Sequence, residues 1–211
     1  MDGVYSMSKI IGILKKLPID LGQAELSEAT EGKQIALRLV PESSNGKALD
    51  IGCREGHQSE WLKKRGFLVD SVDIETNYHL GKVLDVNDGL PYDDNQYDLI
   101  WCSEVIEHLE QPSYVLSEMR RVLKPGGSLI ITTPNSNFWL YRILGLFGVR
   151  PNKLQNPSHL HFFSGSNIKE LCPEAKLYGY FPYVWFKFTL RSSTAISFLS
   201  PTFVMQEFSR M

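Results

Sequence analysis

The segment Lys47 to Ile51 is short, apolar and runs without a break into Gly52, so a buried strand delivers the chain straight into a glycine turn. Strands and helices then alternate. Residues 56–65 have helical spacing, with Trp61, Leu62 and Arg65 able to cover a sheet, and Phe67 to Asp73 alternates as a second strand ending on an acid. Lys82 to Val86 gives a short third strand and Tyr97 to Ser103 a fourth. Val115, Met119 and Val122 stand at i, i+4 and i+7, which predicts a helix over 104–124, closed by Pro125, Gly126 and Gly127 before a fifth strand at Ser128 to Thr133. Such alternation predicts an α/β fold: a mostly parallel, doubly wound sheet with right-handed crossovers and helices on both faces.

Two weaker helical patterns, at 8–17 and 23–40, come first, the second stopping before Pro41. Residues 1–41 therefore read as a helical preface and 42–211 as one domain. Beyond Pro134, residues 138–147 are expected to be helical, 148–161 irregular, and 178–190 aromatic and strand-like; 197–211 carries no assignable pattern. At 211 residues and 43% hydrophobic, the chain can bury a core without covalent staples. Lys and Arg number 22 against 24 Asp and Glu, a net charge of -2, which argues against a broad basic face, and no DNA partner is expected. Three cysteines without a CxxC pair suggest neither a disulfide framework nor a zinc knuckle, and a reducing, cytoplasmic setting is expected. Lys9, Lys15 and Lys16 interrupt the apolar run near the N-terminus, so it does not read as a signal peptide. The stretch 138–149 contains Arg142 and falls short of the roughly eighteen apolar residues of a spanning helix.

Asp50 stands at the end of the first strand, two residues before Gly52. A dinucleotide site would present a bare GxGxxG turn to a pyrophosphate, which a carboxylate here would repel. Asp50 could instead order the loop and meet an ammonium, while Asp73, at the end of the next strand, could accept both hydroxyl protons of a ribose. Together they describe a cationic nucleoside carrying an amino-acid tail.

On these residues the chain resembles the class I S-adenosylmethionine-dependent methyltransferases, over roughly residues 42–172. The resemblance rests on ALDIGCREG at 48–56, VDIE at 72–75, LDV at 84–86, LPYDDNQYDLIWCSEVIEHL at 90–109 and LSEMRRVLKPGGSLIITTPN at 116–135. It implies a Rossmann-like seven-stranded sheet with an antiparallel last strand, and S-adenosylmethionine as cofactor. It also implies that Asp50, Gly52, Cys53, Arg54 and Gly56 form the cofactor loop, that Asp73 followed by Ile74 takes the ribose, that Asp85 and Val86 flank the adenine, and that Ser103 and Glu104 lie near the methionine end. Two departures stand out. Arg54 occupies a position where family members usually carry glycine, and only about nine residues separate Asp73 from the next strand, so the adenine wall should be a short loop.

A methyl on a sulfonium needs alignment of the nucleophile and removal of the acceptor's proton, so a base or a metal is expected. On a helix, Glu104, Glu107 and His108 would share one face. The run is similar to the ExxEH segment of ubiquinone-pathway O-methyltransferases and small-RNA 2'-O-methyltransferases, where it binds a divalent metal. A further histidine is then expected after the fifth strand, and His159 and His161 are the candidates. Glu104, Glu107, His108 and His159 could hold a metal that polarises an acceptor hydroxyl. Equally, Glu107, His108, His159 or His161 could act as bases or orienting groups without one, and glutamates at a helix start are stabilised by its dipole. Cys53 and Cys102 have no activating neighbour and read as packing residues.

The reading is methyl transfer to a small-molecule acceptor, most simply a hydroxyl, with a lipid-linked acceptor or peripheral membrane contact suggested by the apolar 138–147 segment. A non-catalytic methyltransferase-like accessory protein is the rival from another class, and an RNA 2'-O-methyltransferase the third. The sequence says nothing of oligomeric state.

Overall fold

A computed structural model of the chain describes residues 30–146, 155–156, 158–182 and 188–210. The helical pattern at 8–17 and the strand expectation at 183–187 lie outside the described residues. Helix α1 (Glu31–Leu39) starts at Thr30, whose side chain accepts from Lys33 N at 3.3 Å. Glu31 in its first turn and Arg38 in its last complement the helix dipole, and Pro41 follows its end. After it come β1 (Lys47–Ile51), α2 (His57–Lys64), β2 (Leu68–Asp73), β3 (Gly81–Val83), β4 (Tyr97–Ser103), α3 (Pro112–Val122), β5 (Leu123–Pro134), α4 (Trp139–Leu146), α5 (Gly165–Leu171), β6 (Lys176–Tyr180), β7 (Thr189–Leu190), α6 (Ser193–Leu199) and β8 (Thr202–Phe208).

The strands form one sheet in the order β3-β2-β1-β4-β5-β8-β6-β7. The first five are parallel and the last three antiparallel. The architecture is the expected one with eight strands rather than seven, because two residues at 189–190 pair onto β6, while β8, the antiparallel last strand, lies between β5 and β6. Alternation along each strand feeds two cores. Leu49, Ile51, Ile100, Cys102, Leu129, Ile131, Phe203 and Met205 face α3, α5 and α6. Ala48, Leu99, Trp101, Ile130 and Val204 face the other way, onto Ile35 and Ala36 of α1 and Leu62 of α2.

Three local expectations are corrected. The helix predicted over 104–124 begins only at Pro112: the proline favours the first helical position and pushes Gln111 into extended backbone, at φ -129° and ψ 77°. Residues 104–111 instead turn through Glu104, at φ +57°, and a short 3-10 turn at Ile106–His108. The third strand stops at Val83, and Asp85 then caps a 3-10 turn at Val86–Asp88. Pro125, Gly126 and Gly127 do not end the helix before a separate strand but form a bulge inside β5. The register jumps there from Tyr97–Leu123 to Leu99–Ser128, with Gly126 at φ +77°.

Candidate cofactor and acceptor site

In-register parallel pairing brings the carboxyl ends of β1, β2 and β4 together, with Ile51 opposite both Val72 and Cys102 and Ser103 opposite Thr132 of β5. A cavity of about 340 Å³ opens along that edge. Gly52, Arg54, Asp73, Ile74, Asp85, Val86, Ser103, Glu104 and His108 all line it. Asp50, Cys53, Gly56, Glu107, His159 and His161 do not.

The glycine turn is tightly determined. Gly52 lies at φ +85°, and a Cβ there would come within 2.3 Å of Val105 Cγ2. Arg54 also adopts positive φ, +45°, which is the physical reason a glycine suits this position. Its amide donates to Asp73 Oδ2 at 2.9 Å while Glu75 N donates to Oδ1 at 3.1 Å. Each carboxylate oxygen thus keeps a lone pair for a further donor. Ile74, two-thirds exposed, stands with Leu84 and Val86 as an apolar slot beside this acid. Asp85 caps its turn, with Oδ1 accepting from Asn87 N and Nδ2 at 2.9 and 3.0 Å. Cys53 is buried, with its Sγ 3.5 Å from Thr76 Oγ1, and burial raises its thiol pKa, as packing requires.

Asp50 lies behind the turn, 1% exposed, accepting from Ser59, which in turn accepts from Ser71 at 2.8 Å. Its other oxygen has no hydrogen-bond partner. Burial, and then the Asp73 charge, push its pKa up to about 7, against the lowering influence of the Ser59 hydrogen bond and of Lys33. Lys33 was not among the sequence candidates. It reaches the cavity from α1, and no local signal marks it, because a lysine in a first helical turn is unremarkable until the tertiary fold turns it inward.

At the other end the chain places two acids on two threonines. Thr132 donates to Glu104 Oε1 and Thr133 to Glu107 Oε2, both at 3.0 Å. Neighbouring residues of a strand point to opposite faces, so Glu104 and Glu107 do not share a face as a helix would have arranged. Glu107 is buried, its Oε1 has no hydrogen-bond partner, and burial followed by the Glu104 charge raises its pKa well above the usual carboxylate range. Its carbonyl accepts from Leu160 N and His161 N at 2.9 and 3.0 Å, which carries the 158–161 segment onto the site. His159 Nε2 comes to 4.0 Å from Glu107 Oε1. Burial and the neighbouring His108 push the His159 pKa down to about 4, and its Nδ1 is buried without a partner. Rings of His108 and His159 meet edge to face at 4.8 Å.

Glu107, His108 and His159 can each offer a ligand atom within 4.8 Å of the others, a carboxylate and two imidazoles suited to a divalent transition metal. Glu104, committed to Thr132, is outside this group. His161 is outside it too, with Nε2 on the Leu109 carbonyl at 2.9 Å and its ring stacked on Phe163. Among the described residues no helix is long and apolar enough to cross a membrane.

A family model for a methyltransferase domain matches residues 27–178. A ubiquinone biosynthesis O-methyltransferase of Hydrogenovibrio crunogenus is 27% identical over 155 residues, covering 64% of this chain and 63% of that protein. One from Coxiella burnetii is 34% identical over 112 residues, covering 46% and 48%. The chain thus spans between about half and just under two thirds of the length of these relatives. A SAM-dependent methyltransferase from Archaeoglobus fulgidus superposes with a TM-score of 0.62 at 18% identity over 84% of this chain and 94% of that one, a likeness of fold. The chain belongs to the class I S-adenosylmethionine-dependent methyltransferases.

Proposed function

We propose that this chain transfers a methyl group from S-adenosylmethionine to a hydroxyl of a small-molecule acceptor. The observation that carries the acceptor class is the buried Glu107, whose unpartnered Oε1 faces His159 beside the Ser103 and Glu104 end of the cavity. A hydroxyl must lose a proton to become a useful nucleophile, and the neutral His159 imidazole beside the buried Glu107 carboxyl offers a nitrogen that can take it. The names of the two bacterial relatives, both O-methyltransferases, agree with this choice.

The cofactor supplies an electrophilic methyl on a sulfonium. Asp73 would take the ribose hydroxyls, Ile74, Leu84 and Val86 the adenine, and Asp50 with Lys33 the zwitterionic tail, the lysine pairing with the carboxylate and the buried acid supplying negative charge opposite the ammonium. Glu104 would stand between the methionine end and the acceptor, where its carboxylate can orient either. Glu107, His108 and His159 would be the ligands of a divalent metal, which lowers the pKa of a hydroxyl bound to it. Their fit is chemical: Glu107 Oε1, buried and without a hydrogen-bond partner, stands 4.0 Å from His159 Nε2, and a cation between them would give that oxygen a partner. Without a metal, the neutral His159 is the member of the pair that could take the acceptor's proton. The exposed Ile143 and Leu146 on α4 favour an acceptor with an apolar portion.

Incubation with S-adenosylmethionine and a panel of phenolic, aliphatic and amine acceptors, following S-adenosylhomocysteine, tests the proposal. Turnover with hydroxyls and none with amines is expected; amine methylation alone would overturn the acceptor class.

A further inference from the structure

The connection from β2 to β3, residues 74–80, is shorter than the dozen or so residues a parallel crossover usually takes, and it contains no helix. It must nevertheless wall the cavity, which Ile74 and Glu75 line. We propose that Tyr78 is a positioning residue that stands in for the missing helix, latching this loop to the glycine turn so that Asp73 is held in place for the ribose.

Three sets of contacts carry the inference. The Tyr78 ring, 6% exposed, lies directly on the turn: a Cβ at Gly56, itself at φ +80°, would fall 2.3 Å from Tyr78 Cδ2. The Tyr78 hydroxyl donates to Glu60 and accepts from Lys63 Nζ at 2.6 Å. Both partners project from α2, the helix that the glycine turn opens, and Lys63 Nζ also lies 5.2 Å from the ring centroid. Finally, the Arg54 carbonyl accepts from Tyr78 N, Asn77 N and Thr76 Oγ1 at 3.0, 3.1 and 2.9 Å. Those three donors come from the latched loop and fix the backbone of a non-glycine residue at positive φ. The amide of that same residue holds Asp73 Oδ2. A continuous line of contacts therefore runs from the Tyr78 ring through the Arg54 backbone to the carboxylate, and a truncated wall is made rigid by one aromatic side chain.

Because the proposal rests on the cofactor reading above, titration of the wild-type chain with S-adenosylhomocysteine is the reference, and absence of binding there would overturn that reading. Given binding, Tyr78→Ala should raise Kd by about tenfold or more. Tyr78→Phe, which keeps the ring over Gly56 and guards against failure to fold, should raise it by about threefold to fivefold through loss of the two hydroxyl contacts. Tyr78 acts through Asp73 only if the effects fail to multiply. In an Asp73→Asn background, either Tyr78 substitution should change Kd by less than about twofold. Wild-type affinity in Tyr78→Phe and Tyr78→Ala, or losses that multiply with Asp73→Asn as general destabilisation would produce, overturns the latch alone.

Discussion

His159 Nε2 lies 4.0 Å from Glu107 Oε1, and both side chains are almost wholly withdrawn from water. Burial favours the neutral form of each, raising the acid and lowering the base, so the pair is not a settled ion pair awaiting nothing. It is a site whose charge state a ligand can set. A cation bound there would draw the proton from Glu107 and find His159 already neutral, as metal ligation demands.

Glu107→Gln keeps an acceptor for the Thr133 hydroxyl and removes the charge. Activity stimulated by manganese should fall by about a hundredfold or more, while the Kd for S-adenosylhomocysteine stays within about twofold of wild type because Glu107 does not line the cavity. Turnover that ignores both the substitution and a chelator would remove the metal from the account.

Glu104 occupies the left-handed region at φ +57° and its charge acts on the buried Glu107, so its placement costs stability on the order of 1 kcal/mol or more. Glu104→Gly relieves the backbone and the repulsion together. Thermal unfolding should show a midpoint at or above wild type, with turnover at least about tenfold lower, the trade expected where strain serves function. A destabilised variant with normal turnover would show that the carboxylate is structural.

The pH dependence of Asp50 has a definite sign. Its folded-state pKa, about 7, stands above the ordinary 3.8, so its contribution to stability is complete below about pH 4 and is lost as pH rises through about 7. A cationic ligand prefers the ionised acid. Cofactor affinity should therefore strengthen from pH 6 to pH 8, by no more than about tenfold per pH unit, with a proton released on binding below pH 7. Calorimetry in buffers of different ionisation enthalpy reads that proton, and Asp50→Asn should abolish it. Release undiminished in Asp50→Asn would assign the proton elsewhere.

What the sequence made legible was local. A strand entering Gly52, an acid closing the next strand at Asp73 and the short passage to β3 are decided by neighbours within a few residues, and they place much of the cavity's edge. The remainder depends on distant contacts. Lys33 reaches the cavity only when α1 packs across β5 and β8. The helix face expected for Glu104, Glu107 and His108 gave way to Pro112, a signal present in the sequence, and to hydrogen bonds from Thr132 and Thr133 that spacing could not disclose. In β8, Phe203, Val204 and Met205 are all buried, on alternate faces, so no alternation of polar and apolar residues marks the strand that joins the parallel strands to the antiparallel ones.

Asp73, with a lone pair left on each carboxylate oxygen, is the group proposed to hold the ribose of a bound cofactor. Isothermal titration with S-adenosylhomocysteine, on wild type and Asp73→Ala, tests it. Micromolar binding is predicted for the wild type, weakened by about 1.5 to 3 kcal/mol in the variant, the scale of lost hydrogen bonds to a charged group. No binding by the wild type, or equal affinity in the two proteins, would contradict it.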